Sequence, residues 1–389
     1  MRLIYLVHDL DDPAVARRLA MLRGYVRAAV VIGFHRGRIA PVQVEGWPAV
    51  TLGRTADGRL ARRAASVLWV RARLGQLGAV LDQANVVIAR QLEMLAIAVP
   101  LRRRFAAGAV LAYECLDVHR LMVSPALPGR VLREIEGRLL RETDMVIVSS
   151  PAFIGSHLAR VHEGRLPPCC LIENKVLAAE IAGQRPAVPR AAGPPWRIGW
   201  FGVLRCRRSL QMLAALARAL PGQIEVELRG RPAYSAIPDF DALVAAAPGV
   251  AFLGAYDRRR DLAAIYGGVH FSWAIDHYED GANSAWLLPN RIYEGGAYNA
   301  VPIALAAVET GRFLAALGIG VLLGHAIDHG LIPYFTGLTT GDFAAAAEGI
   351  GHVPRATWVD DGQDGAHLAG LLLAPGAVGA NRGRVLTNA

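Results

Sequence analysis

Residues able to hold an anionic, hydroxyl-rich ligand recur in the second half of the chain. RIGWFG (197–202) is followed by VLRCRRSLQMLAAL, so Gly202 precedes Arg205, Arg207 and Arg208 where a helix should open. A glycine turn running into a helix N-terminus offers free N–H groups, the helix dipole and bidentate guanidinium contacts. That set suits a diphosphate, although a solvated basic turn has the same composition. Lys175 is the only lysine, so any phosphate grip must be mostly guanidinium. In VELRGRP, Gly230 ends the next apolar segment. A base or ribose could approach its backbone closely, and an ordinary turn fits equally well.

The stretch VHFSWAIDHYEDGANSAWLLPNRIYEGG (269–296) is the most polar in this half. Asp276, His277, Glu279, Asp280, Asn283 and Asn290 suit recognition of a polyhydroxylated ligand from a loop. A helix should begin near Pro289-Asn290, with Arg291 and Glu294 in its early turns. A carboxylate there can accept two hydrogen bonds from a ribose diol. On residue type alone, an acid that only stabilises the helix start fits as well. In the first half, YECLDVHRLM (113–122) sets Glu114, Asp117, His119 and Arg120 just after an apolar segment, and Arg90-Gln91 ends another. A lone histidine after a strand is also commonly a structural residue. GWFGVL lacks the third glycine of G-x-G-x-x-G, which disfavours a nicotinamide dinucleotide.

These residues follow short apolar runs that alternate with longer amphipathic ones. Strands are expected at 2–7, 28–34, 85–90, 109–114, 145–150 and 169–174. They are expected again at 197–202, 224–230, 250–254, 269–274, 300–305 and 318–324. Helices are expected to begin near Pro13, Ala61, Leu92, Arg130 and Pro151. Near-continuous apolar strands alternating with helices imply parallel sheets covered on both faces. The proline- and glycine-rich GQRPAVPRAAGPPW (183–196) interrupts the pattern and reads as a linker. The expected class is α/β: two doubly wound, Rossmann-like domains facing a cleft. One spans 1–182, the other 197–375, and 376–389 form a tail. Ligands in such sheets bind beyond the carboxyl ends of the strands.

Composition agrees. A chain of 389 residues, 53% hydrophobic and 19% charged, suits two domains and excludes a disordered protein. The longest apolar runs fall short of the ~18–20 residues of a membrane span. MRLIYLVHDLDD reads as a first strand, not a secretory leader, so a cytoplasmic protein is expected. Cys115, Cys169, Cys170 and Cys206 lack paired metal-ligand spacing and read as reduced thiols. The net charge of +9 points to phosphorylated ligands or an anionic membrane surface. No basic run with interleaved aromatics occurs, so nucleic acid is the weaker partner. The triplets at 102–104 and 258–260 read as solvated helix faces, or as sites of attraction to lipid headgroups.

The order Gly202, Arg205/Arg208, Gly230, FLG and PNRIYEGGAYNAVPIA resembles the donor-binding half of GT-B glycosyltransferases of family 4. ARQLEMLA, YECLDVHR and WLLPNRIYEGG look most like the bacterial succinoglycan-type exopolysaccharide glycosyltransferases. The resemblance covers residues ~1–375. It implies transfer of a hexosyl unit from a nucleotide-diphospho-sugar to a lipid-linked saccharide, with retention of configuration, no cofactor and no bound metal. It implies that Glu294 holds the ribose, that Arg291 supports the donor, and that Asp117 and His119 orient sugar hydroxyls. A second glutamate common in the family is here Trp286, so Asp276, Glu279 or Asp280 would take its contact. A peripheral place on the inner membrane face follows from a lipid-linked acceptor. Two alternatives share the donor site: a sugar-nucleotide epimerase or hydrolase, and a non-catalytic sugar-nucleotide-binding protein.

Overall fold

A computed structural model describes residues 1–55, 60–81, 83–162, 166–184, 190–324, 327–374 and 385–386. The chain divides into two compact units, Met1–Glu173 with Gly362–Ala389, and Asn174–Asp361.

The first unit holds β1 (Arg2–Val7), β2 (Ala28–His35), β3 (Gln43–Val44), β4 (Trp47–Arg54), β5 (Val86–Arg90), β6 (Val110–Cys115), β7 (Met145–Val148) and β8 (Cys169–Leu171). Their order is β8-β7-β6-β5-β1-β2-β4-β3, with Val385–Leu386 outside β8. All neighbours are parallel except the β3–β4 pair and that last strand. β5 and β7 are buried at every residue, as strands covered on both faces must be. β4 escaped the sequence reading. Pro48 and Gly53 weaken its strand pattern, and its largely half-exposed run lies next to the sheet edge, where such residues are tolerated. From β1 the chain moves to β2 on one side, while β5 lies on the other. The sheet therefore reverses direction between β1 and β5, the position at which open α/β sheets bind ligands.

A buried polar cluster ties the outer helices of this unit together. Glu136 Oε2 lies 2.9 Å from His157 Nε2 and 2.8 Å from His162 Nε2, and Tyr113 Oη donates to Oε1 at 3.1 Å. The turn Ile154–Leu158 is π-helical. That wider turn lets two histidines five residues apart face one carboxylate. Among the described residues, these three are the group whose donor atoms lie close enough for a shared ion. Both imidazoles, however, use Nε2 on the same oxygen. Burial pushes Glu136 up, but the histidine hydrogen bonds outweigh it and hold the carboxyl at about 2, against 4.5 ordinarily. A depressed pKa gives stability that is complete above the unfolded value and lost as pH falls through the folded one. On the order of 3 kcal/mol should therefore disappear between pH ~4.5 and ~2. Urea titrations along that range should show a steep acid limb for the native protein and a shallower one for Glu136→Gln. Equal slopes would remove the linkage.

The second unit holds β9 (Val176–Leu177), β10 (Trp196–Leu204), β11 (Ile224–Pro232), β12 (Val250–Phe252), β13 (Phe271–Trp273), β14 (Val301–Leu305), β15 (Val321–Leu323) and β16 (Val359–Asp360). Six form a parallel sheet in the order β12-β11-β10-β13-β14-β15, and β9 pairs with β16. One core joins Trp196, Trp200, Phe271, Trp273 and Tyr293. Here the sheet reverses between β10 and β13.

The units are not divided where the composition suggested. The chain leaves the first unit at residue 173, ahead of the proline-rich segment, whose residues 185–189 lie outside the described residues. The remainder is held on the second unit: Gln184 Nε2 donates to Arg258 O and Arg259 O, and Arg190 donates to the carbonyls of Tyr266, Gly267 and Asn299. The helix Gln363–Leu373, expected in the second domain, belongs to the first unit. Leu368, Leu371 and Leu372 join Leu19 and Leu22 in its core, and a Cβ on Gly365 would lie 2.5 Å from Met21 O. An apolar stripe shows that a helix must be buried, not against which sheet. The tail at 376–389 lies outside the described residues apart from Val385–Leu386.

Candidate active site

The expected diphosphate residues gather where the second sheet reverses. Gly202 and Gly230 are register partners on β10 and β11, with φ of +115° and +124°. A Cβ on Gly230 would sit 2.0 Å from Gly202 O, so only glycine fits there. Neither glycine ends its strand; each strand runs two residues further. Arg205 follows β10 and reaches across the reversal, with Nη2 3.4 Å from Asp276 Oδ2 after β13. Its guanidinium lies 4.7 Å from the ring centroid of Tyr278, a stacked cation. Arg205 remains 36% exposed while Asp276 is buried, so an open guanidinium is held by a fixed carboxylate.

Backbone contacts lock the two loops together. Cys206 caps the helix Arg207–Ala219, its Sγ accepting from Ser209 N at 3.4 Å and from His277 N at 3.3 Å. Ser209 Oγ donates to Ile275 O at 3.2 Å. This buried thiol thus has a local role that its sequence position did not reveal. Arg208, His277 and Asp280 line a cavity of about 110 Å³ with Leu305 and Leu323. Asp280 lies 3.3 Å from His277 Nδ1 and 3.9 Å from Arg208 Nη1. Glu279 is turned elsewhere and accepts from Asn283 Nδ2 at 2.6 Å. Arg207 pairs with Asp239, which separates it from Arg205 and Arg208.

LLPNRIYEGG forms the helix Asn290–Ala297 after an N-cap at Pro289 with no side-chain cap. Asn290 is exposed and caps nothing. Arg291 Nη1 donates to Trp273 O at 3.2 Å, which ties the helix to the end of β13. Glu294 does not stabilise the helix start either, because it lies beyond the first turn, and it is 3% exposed. Oε1 accepts from Arg258 Nε at 2.7 Å and Oε2 from Tyr266 Oη at 2.9 Å. Arg258 also pairs with Glu180. Burial lowers the Arg258 pKa, but Glu294 and Glu180 raise it above the ordinary arginine value. Burial and the adjacent Glu294 raise the Tyr266 hydroxyl well above the ordinary phenol. A carboxylate has about four lone-pair positions, so Glu294 keeps acceptor capacity beyond these two donors. The two glycines have their own reason. A Cβ on Gly295 would meet Ser272 at 3.0 Å, and one on Gly296 would meet the Trp358 ring at 2.4 Å.

Arg258 corrects the reading of its triplet as a solvated face. Arg260 is 77% exposed and pairs with Asp261, but Arg258 is an internal bridge. At 102–104, Arg102 pairs with Asp144, Arg103 with Glu142, and Arg104 lies over Phe105.

In the first unit, Glu114 is fully buried and accepts from Tyr5 Oη at 2.5 Å, Arg18 Nε at 2.7 Å and Arg90 Nη1 at 3.2 Å. Burial pushes its carboxyl up, and the two arginines outweigh it and hold it below the usual range. Arg90 also reaches Asp12 at 3.3 Å. Gln91, the next residue, has φ +74° and ψ 161°, a conformation nearly restricted to glycine and costing about 1–3 kcal/mol. Its N–H donates to Glu114 O at 3.0 Å. Asp117 is exposed. His119 caps the short helix Arg120–Val123, Nδ1 accepting from Leu121 N at 3.2 Å, which leaves the neutral ring's proton on Nε2. Among the described residues, no helix is long and apolar enough to cross a membrane.

No protein-family model matches the chain. It is 45% identical over 372 residues to the succinoglycan biosynthesis protein ExoL of Rhizobium meliloti (strain 1021), covering 94% of this chain and 91% of that protein. Among solved structures it is similar to Anabaena Alr3699/HepE in complex with UDP. The TM-score is 0.73 and the identity 14%, over 96% of this chain and all of the other. It is also similar to sucrose-phosphate synthase from Thermosynechococcus elongatus, with TM-score 0.65 and 15% identity over 98% and 96% of the two chains. Those two likenesses concern the fold; the identity to ExoL concerns the family. The chain belongs to the family of the succinoglycan biosynthesis protein ExoL and has a GT-B fold of two Rossmann-like domains.

Proposed function

We propose that this protein transfers a hexosyl unit from a nucleotide-diphospho-sugar to a lipid-linked saccharide during exopolysaccharide assembly. The observation that carries the reading is the convergence of Arg205, Asp276, Arg208, His277 and Asp280 where the second sheet reverses. In this reading Arg205 and Arg208 meet the diphosphate, with the N-terminus of the helix Arg207–Ala219 behind them. The leaving group's charge is met by guanidinium groups without a metal. Glu294 accepts the ribose hydroxyls on its remaining lone pairs, and Arg291 supports it. Gly230 admits the nucleoside against the backbone. Asp276 and Asp280 take the sugar contact that Trp286 cannot make. Asp117 and His119 orient sugar hydroxyls, and the configuration is retained. Glu279 accepts from Asn283 on one oxygen and keeps its remaining lone pairs for a sugar hydroxyl.

A thermal-shift panel of nucleotide-diphospho-sugars, beginning with UDP-glucose, tests the donor. One sugar nucleotide at 100 times its Kd should stabilise the protein by about 2.7 kcal/mol. Product analysis with and without a saccharide acceptor then separates transfer from epimerisation or hydrolysis. No selective stabiliser across the panel would remove the donor assignment.

A further inference from the structure

The helix Leu127–Leu140 is apolar on two sides. Its inner face buries Leu139 and Leu140, yet Leu127, Val131 and Ile135 are 70%, 48% and 40% exposed. Spacing of i, i+4 and i+8 puts those three on one outward stripe. Val123, on the short helix before it, is 40% exposed. Residues 120–141 contain five arginines and two glutamates, and one of the glutamates, Glu136, is buried. The side chains of Arg130 and Arg141 have no hydrogen-bond or ion-pair partner among the described residues. Together with Arg133, Glu134 and His162 they line a hollow of about 290 Å³ beside the stripe, with Gly137 in its wall; Glu134 is paired with Arg138, whose Nε lies 3.0 Å from Oε1.

The segment is tied together by side-chain contacts. Arg133 Nη1 donates to Met122 O and Ser124 O at 2.7 Å each. A Cβ on Gly129 would come within 2.3 Å of Leu121 O. The two helices are thus clamped as one piece, and the exposed stripe is a feature of the fold rather than of a frayed loop. The triplets at 102–104 and 258–260 do not compete for the same role, since Arg102, Arg103 and Arg258 are held by carboxylates.

We propose that this face seats on an anionic bilayer. The stripe enters the headgroup boundary, and a lipid phosphate occupies the arginine hollow. Charge decides the occupant. The one exposed acid of the hollow, Glu134, is met by Arg138, which leaves Arg130 and Arg141 as cations beside an apolar stripe, as on helices that lie in a membrane interface; guanidinium groups match phosphate oxygens bidentately. A hydrophobic protein partner would leave Arg130 and Arg141 desolvated without counter-charge. The inference rests on the proposed lipid-linked acceptor, because a membrane-bound substrate is what gives the enzyme reason to dock.

Sedimentation of the full-length protein with vesicles tests it. At physiological salt the protein should pellet with phosphatidylcholine vesicles containing phosphatidylglycerol, and not with phosphatidylcholine alone. Arg130→Ser with Arg141→Ser should weaken partitioning about 25-fold, from about 1 kcal/mol per arginine at 1.4 kcal/mol per decade. Leu127→Asp with Val131→Asp should weaken it at least tenfold. Both pairs are exposed, so Tm and the donor-induced thermal shift should stay unchanged. Undiminished pelleting of either double variant would overturn the proposal. So would failure of the native protein to bind anionic vesicles. Release from vesicles by millimolar inorganic phosphate at constant ionic strength would make the hollow a soluble-anion site and also overturn it. The donor-induced shift reports separately on the glycosyltransferase reading, so either can fail without the other.

Discussion

Glu294→Ala should lower the unfolding free energy by about 3–5 kcal/mol and abolish nucleotide-sugar binding. The stability loss follows from burial. The carboxylate is 3% exposed and accepts from Arg258 and Tyr266. Its removal leaves Arg258 with Glu180 alone and strands the Tyr266 hydroxyl, and an unpaired buried group costs more than the pair contributes. Urea unfolding measures this loss, and calorimetry with UDP-glucose below the lowered Tm measures binding. Tyr266→Phe separates the two roles. It removes one donor, should cost about 1 kcal/mol, and leaves Oε2 open, so donor affinity should persist. Unchanged affinity in folded Glu294→Ala would make the glutamate purely structural.

Arg205→Ala should lower kcat about 10²- to 10³-fold, the usual loss when one group meeting developing negative charge is removed. Stability should hardly change, because the pair with Asp276 is part-exposed and such pairs contribute little. Nucleoside-diphosphate affinity should fall while nucleoside affinity persists. Arg205→Lys should recover only part of the loss, since an ammonium keeps the charge but not the planar fork or the stacking on Tyr278. Single-turnover kinetics with radiolabelled donor separates binding from chemistry. A kcat within threefold of the native value would place the diphosphate elsewhere.

The positions of most strands were legible because strand periodicity is a local property. The segment at 2–7 is β1 without adjustment, and those at 197–202 and 224–230 lie inside β10 and β11. Arg205 and Asp276, which the fold brings to a separation of 3.4 Å, each follow an apolar run in the sequence. Ligands sit beyond strand ends, and strand ends can be found from the pattern. β4 was missed because Pro48 and Gly53 obscured it.

The sequence by itself determined the α/β alternation, the two-sheet architecture and, to within two residues, where β10 and β11 end. Tertiary structure decided which charges face solvent and which are internal. Arg258 and Glu294 are 36 residues apart, and Arg258 and Glu180 are 78 apart, so no local pattern distinguishes that bridge from a solvated basic helix start. The same holds for Gln363–Leu373, whose apolar stripe required burial without naming the unit that supplies it. The arginines whose spacing drew attention, at 102–104 and 258–260, largely found carboxylates. Arg130 and Arg141, which drew none, were left open beside an exposed apolar stripe. Composition and periodicity are summed over neighbours in sequence, whereas desolvation and ion pairing are set by neighbours in space.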